Sequence, residues 1–164
     1  MDELLEPNES LRPRGALGCG LFRRLLVPVG PFGPAGDALE LAACLARTAN
    51  AQLRLVHTRT WDPPSRGRGA RFYPETSDEA TAALDNAVTR AWACGVEASG
   101  VVVDAPRSQV AVAVLKEAST WCANAIVLTQ APWGALSLAL WDKASREVMR
   151  GAPCPVLFVF QRPS

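Results

Sequence analysis

The sequence predicts a single α/β domain: an open, parallel, five-stranded sheet with helices on both faces, Rossmann-like, with strand order 3-2-1-4-5. Three observations carry this. After residue 22 the chain alternates short β-branched or Leu-rich runs with longer Ala-rich stretches of helical period, the pattern of a parallel sheet covered by helices. Its 164 residues make one domain's length. Apolar residues at 49% and charged residues at 20% lie near the globular average, so the chain can bury a core.

Met1–Gly20 is polar, contains Pro and Gly and shows no pattern, so residues 1–22 are expected to be a disordered extension ahead of a domain over residues 23–160 and a tail over 161–164. Arg23–Val29 reads as the first strand, with Pro28 near its end, where a missing amide costs least. Gly30, Pro31, Gly33, Pro34 and Gly36 then mark a loop. Asp37–Ala49 reads as a helix whose apolar face is Leu39, Ala42, Ala43, Leu45 and Ala46, with Glu40 and Arg47 outward. Gln52–His57 alternates as a second strand. From Thr58 to Thr76 periodicity disappears among Pro63, Pro64, Gly67, Gly69 and Pro74, which predicts a long surface loop.

Ser77 is a good N-cap with Asp78 and Glu79 in the first turn, opening a helix to about Cys94 that Gly95 stops. Glu97–Val103 reads as the third strand, and Pro106 suits the first position of a helix with Val110, Val114 and Leu115 as its stripe, ending near Thr120. Ala125–Thr129 is a short apolar run that fits a central strand buried on both faces. Beyond Pro132 and Gly134, Leu140–Arg150 reads as a helix stopped by Gly151, and Pro155–Phe160 as the last strand.

A net charge of +1 gives no field favouring nucleic acid or an anionic membrane, and Arg, Asp, Gly or Pro interrupts every apolar run before the length of a membrane span. Asp2, Glu3 and Glu6 precede any Arg, and no signal-peptide core follows, so the chain is read as cytoplasmic. The 5 cysteines, Cys19, Cys44, Cys94, Cys122 and Cys154, are widely spaced and read as reduced packing residues. No local metal-ligand spacing occurs. His57 has no recognisable nucleophile nearby and reads as a structural or loop-contacting residue, so no catalytic residue is assigned and the chain is not expected to be an enzyme. Arg66, Arg68 and Arg71 with Phe72 and Tyr73 form a basic, aromatic-tipped segment, read as a solvated loop. The loop from Gly30 to Gly36 lacks phosphate-cradle spacing, and Pro31 and Pro34 offer no amide. In a sheet of this order, ligands bind beyond the carboxyl ends of the strands where the winding reverses, which here collects the loops after Val29, Val103 and Thr129.

The stretch from Arg146 to Val159, in which a helix leads through Ala152-Pro153-Cys154-Pro155 into the last strand, resembles the end of a universal stress protein domain. The Leu26–Val29 strand, the Ala38–Ala42 helix start, the Leu53–His57 strand, the Val101–Pro106 run and the Ala125–Leu128 strand follow in that family's order. The resemblance spans about residues 23–160 and implies the family's α/β fold, a cytoplasmic location and a homodimer paired through the last strand, here Val156, Leu157, Phe158 and Val159. In the ATP-binding kind, an Asp ends the first strand, and a G-x-x-G-x9-G-S/T segment after the fourth strand wraps the phosphates and ribose. Anchored on the Ala-Pro-Cys-Pro turn without gaps, those positions fall on Thr129, Pro132, Asp142 and Lys143, and the Asp position on Gly30. Pro132 has no amide, Asp142 sets a carboxylate where a phosphate oxygen would lie, and Gly30 supplies no carboxylate.

The ligand cleft is therefore expected at Val29, Gly30, Val103, Thr129, Gln130, Gly134, Lys143 and Ser145, with no cofactor and with ATP disfavoured. The resemblance implies a dimeric binding or adaptor module of the stress response with a protein partner. The alternative is a regulator that reaches ATP, cyclic AMP or another adenine ligand by altered contacts through Lys143, Ser145 and the Arg-rich loop.

Overall fold

The computed structural model describes residues 22–29, 36–64, 69–130 and 138–160. The extension, the tail, Gly30 and its loop, Arg66, Arg68, Pro132, Trp133 and Gly134 lie outside the described residues, as do the side chains of Thr129, Gln130 and residues 138–142.

Among the described residues five strands and four helices alternate: β1 (Arg24–Val29), α1 (Gly36–Ala49), β2 (Gln52–Trp61), α2 (Ser77–Ala93), β3 (Ala98–Pro106), α3 (Val110–Thr120), β4 (Ala125–Gln130), α4 (Leu138–Gly151) and β5 (Val156–Phe160). The strands are parallel in the order β3-β2-β1-β4-β5, as the sequence predicts. Alternation along each strand divides the interior into two cores. Leu25, Val27, Leu53 and Leu55 meet Leu39, Ala42 and Ala46 of α1 and Leu84, Val88 and Ala91 of α2. Leu26, Val56, Ile126 and Leu128 meet Ala111, Val114 and Ala118 of α3 and Val148 of α4. Ala125 to Leu128 are at most 1% exposed, so β4 is an interior strand buried on both faces, as its apolar run implies.

The largest departure from the sequence reading lies beyond His57. β2 does not end there but continues through Thr58, Arg59, Thr60 and Trp61, and β3 continues past Val103 to Pro106, the two extensions pairing residue for residue. A polar Thr-Arg-Thr run hides the strand from a hydrophobic reading, whereas threonine and tryptophan suit an extended backbone well. Pro106 consequently ends β3 instead of opening a helix; on this edge strand its missing amide leaves no ladder bond unmade. A short 3-10 turn, Arg107–Gln109, then leads into α3, whose buried positions are Ala111, Ala113, Val114 and Ala118.

Helix α2 is capped by Thr76, not Ser77. The Thr76 hydroxyl accepts from the Glu79 amide at 3.2 Å while the Glu79 carboxylate accepts from the Thr76 amide at 2.8 Å, a reciprocal capping box. Helix α4 starts two residues before the predicted Leu140 and includes Gly151, which lies against Leu115 so closely that a Cβ would sit 2.8 Å from its Cδ1. Cys94 and Cys154 pack partly buried against the two cores, but Cys44 and Cys122 are exposed, so the packing role does not extend to them.

Candidate functional site

The winding direction reverses between β1 and β4, so the cleft opens above Val29 and the end of β4. Val29 is 5% exposed and pairs with His57, which fixes the cleft's floor. Val103 lies inside β3 opposite Thr58 and packs on the second core, three residues below the strand's end; Pro106 is the residue that reaches the carboxyl edge. Thr129 and Gln130 close β4, paired with Val159 and Phe160. Lys143 and Ser145 both sit on α4, Ser145 buried and Lys143 exposed with its ammonium 3.8 Å from the Glu147 carboxylate.

Beside this cleft the extended β2 carries side chains in alternating positions, and the chain returning toward α2 answers them in antiparallel order. His57 Nε2 and Glu75 Oε2 are 2.7 Å apart. The Arg59 guanidinium stacks 4.3 Å from the Tyr73 ring centre, and that of Arg71 lies 4.2 Å from the Trp61 ring centre. A backbone bridge between Asp62 and Phe72 closes the arm. His57 is 1% exposed, so its imidazole needs the Glu75 partner that the arm delivers, in keeping with a loop-contacting histidine. Sequence reading missed this ladder, although the period of two in His57, Arg59 and Trp61, matched by Arg71, Tyr73 and Glu75, was its signal.

The charges here are largely spent on one another. Arg59 donates through Nε and Nη2 to the two oxygens of Asp104 at 2.7 and 2.6 Å, a bidentate pair between directly opposed residues of β2 and β3. Arg107 holds Asp62 in the same manner, both bonds at 3.0 Å. Among the described residues no group of three or more His, Cys, Asp or Glu side chains is placed to hold a metal ion, and no described helix is long and apolar enough to cross a membrane.

The hydrogen bonds from Arg59 hold the Asp104 carboxyl below its ordinary value of 3.8. A carboxyl depressed in the folded state adds stability that is present above the unfolded value and lost as pH falls through the folded one. Asp104→Asn is therefore expected to show a shallower decline of the thermal midpoint than the parent protein on acidification below about pH 4. Glu79, held low by its bond from the Thr76 amide, titrates in the same direction in both proteins. Superimposable midpoint-versus-pH curves would show that the pair adds nothing.

A model of the universal stress protein family matches residues 21–159. No curated protein sequence matches the chain. Among solved structures, a universal stress protein from Archaeoglobus fulgidus in complex with dAMP is 22% identical, with a TM-score of 0.61 over 84% of this chain and 98% of that one. A universal stress protein in complex with cAMP is 18% identical, with a TM-score of 0.63 over 87% and 99%. A protein of the same family from Burkholderia pseudomallei is 24% identical, with a TM-score of 0.62 over 85% and 97%.

Proposed function

The chain belongs to the universal stress protein family, and from that premise we propose that it is a cytoplasmic, dimeric binding or adaptor module of the stress response, without enzymatic turnover, that does not take ATP through the family's usual phosphate-binding segment. The observation that carries this reading is where Asp142 and Lys143 lie. Helix α4 begins at Leu138, so the free amides of its first turn precede residue 142, and those of Asp142 and Lys143 belong to the helix's own ladder. These are the positions that align with the segment's final Gly and Ser or Thr. No amide is left there to receive a phosphate. The paired state of Arg59 supports the same reading, since its guanidinium already faces the Asp104 carboxylate.

The dimeric part rests on β5. It is an outer strand of the sheet, with Leu157 and Val159 leaning on one core and Val156 and Phe158 on the other. An apolar edge strand left open invites uncontrolled pairing, and a second copy of the chain is the simplest cover for it.

The complexes with dAMP and cAMP among the structural neighbours favour a second reading, a nucleotide-binding regulator with altered contacts. Thermal unfolding separates the two. With millimolar ATP and magnesium, AMP or cyclic AMP the midpoint is expected to stay unchanged, and light scattering to give a dimer's mass. A nucleotide at about 100 times its dissociation constant would add about 2.7 kcal/mol, or roughly 5 to 10 °C for a domain of this size, and that result would establish the second reading instead.

A further inference from the structure

On the α3 and α4 side of the sheet, the end of β2, the turn after β3 and the two helices line an open pocket of about 290 Å³ that has Lys143 in common with the cleft expected from the sequence. We propose that this pocket binds a small zwitterion with an aliphatic side, of the class of the branched aliphatic α-amino acids. The inference rests on the reading above that Lys143 is not taken by a nucleotide's phosphates.

Charge is the first argument. The pocket's lining carries two cations and two carboxylates, arranged as Arg107 with Asp62 on one side and Lys143 with Glu147 on the other. Each side is neutral on its own, so a polyanion such as a triphosphate would meet as much repulsion as attraction. A ligand with one charge of each sign finds a partner for both.

Available donors are the second argument. Arg107 uses Nε and Nη2 on Asp62, which locks the plane of its guanidinium and leaves the Nη1 hydrogens to meet a carboxylate. The Lys143 ammonium stands 3.8 Å from Glu147, outside hydrogen-bond distance, so that pair leaves its three donors free to move to a ligand. Asp62 and Glu147 retain lone pairs for a ligand's ammonium group. Apolar surface between the charged sides comes from Pro63, Val110 and Ala144, where a branched alkyl group would be shielded from water. The volume lies at the small end of ligand pockets, a size suited to an amino acid.

The test is a titration of the full chain with L-leucine, followed by backbone amide shifts, beside two half-ligands: 4-methylpentanoate, which lacks the ammonium group, and 3-methylbutylamine, which lacks the carboxylate. Saturable shifts are expected at Arg107–Ala111 and Lys143–Glu147 with a dissociation constant of about 5 mM or tighter, and each half-ligand is expected to bind about tenfold more weakly. Lys143→Gln, at a side chain 61% exposed and so without consequence for folding, is expected to weaken leucine binding by about tenfold, and Arg107→Gln at least as much. No saturation by about 50 mM leucine would overturn the proposal. So would a half-ligand binding as tightly as leucine, which would make this a plain ion site, or shifts that saturate around Val29 and His57 instead.

Discussion

Ile126→Ala is expected to lower the unfolding free energy by about 2–5 kcal/mol, a large part of the roughly 5–15 kcal/mol that holds a typical domain together. Ile126 is fully buried on the interior strand β4, opposite Leu26 of β1 on one side and Val156 of β5 on the other. Its side chain faces the second core, whose other members include Val56, Val114 and Val148. Truncation removes three methyl or methylene groups from that space. The sheet ladders on both sides hold the neighbouring backbone in place, so the cavity cannot close by moving a strand. Urea denaturation measures the loss directly as a lower midpoint with an unchanged slope. Ile126→Val, which leaves most of the volume filled, is expected to cost only about 0.5–1.5 kcal/mol. A loss for Ile126→Ala below about 1 kcal/mol would mean that the second core collapses around the gap, and that β4 is less rigidly seated than its burial implies.

The same burial explains which parts of the fold are legible in the sequence. Strands β1 and β4 are covered on both faces, and their residues Leu25 to Val27 and Ala125 to Leu128 read as continuous apolar runs. The helices announce themselves by apolar faces that the cores then use, as with Leu39, Ala42, Ala43 and Ala46. The alternation of five strands with four helices announces a parallel sheet with helical crossovers. Legibility fails where polar contacts decide the structure. Thr58 to Trp61 extend β2 because the Arg59–Asp104 pair, the β3 ladder and the aromatic ring of Tyr73 hold them there, and none of these leaves a hydrophobic period. Glu75 as the partner of His57 leaves only a weak signal, the period of two shared by His57, Arg59 and Trp61 with Arg71, Tyr73 and Glu75, and the antiparallel return marked by the Asp62–Phe72 bridge is needed to read it. Alignment alone suggests an anion-meeting role for Lys143, whereas its place beside Glu147 and across from the Arg107–Asp62 pair is set by the packing of α4 on α3, which leaves no mark in the local sequence.

Gly100→Ala is expected to destabilise the domain by about 1–3 kcal/mol through overpacking. Gly100 sits on β3 opposite Leu55, beneath α2. A Cβ there would come within 2.8 to 2.9 Å of Leu84 Cγ, Cδ1 and Cδ2, so the branched end of the side chain is met as a whole and one methyl cannot simply rotate away. Leu84 is 5% exposed and has little room to retreat. Leu84→Ala alone costs about 2–5 kcal/mol through the cavity it leaves. In the double variant the added methyl at position 100 occupies part of that cavity, so its loss is expected to fall short of the sum of the single losses by at least about 1 kcal/mol. The consequence reaches the site. Displacing α2 from β3 strains the Thr76 cap at the helix start and, one residue earlier, the Glu75 carboxylate that satisfies the buried His57. Gly100→Ala is accordingly expected to quicken proteolysis within the returning arm, Gly69 to Glu75, while Ile126→Ala, on the opposite face, leaves the local cleavage rate unchanged under conditions where both proteins remain folded. Additive losses in the double variant would show that Leu84 does not bear on Gly100, and equal cleavage rates would show that the arm is held independently of α2.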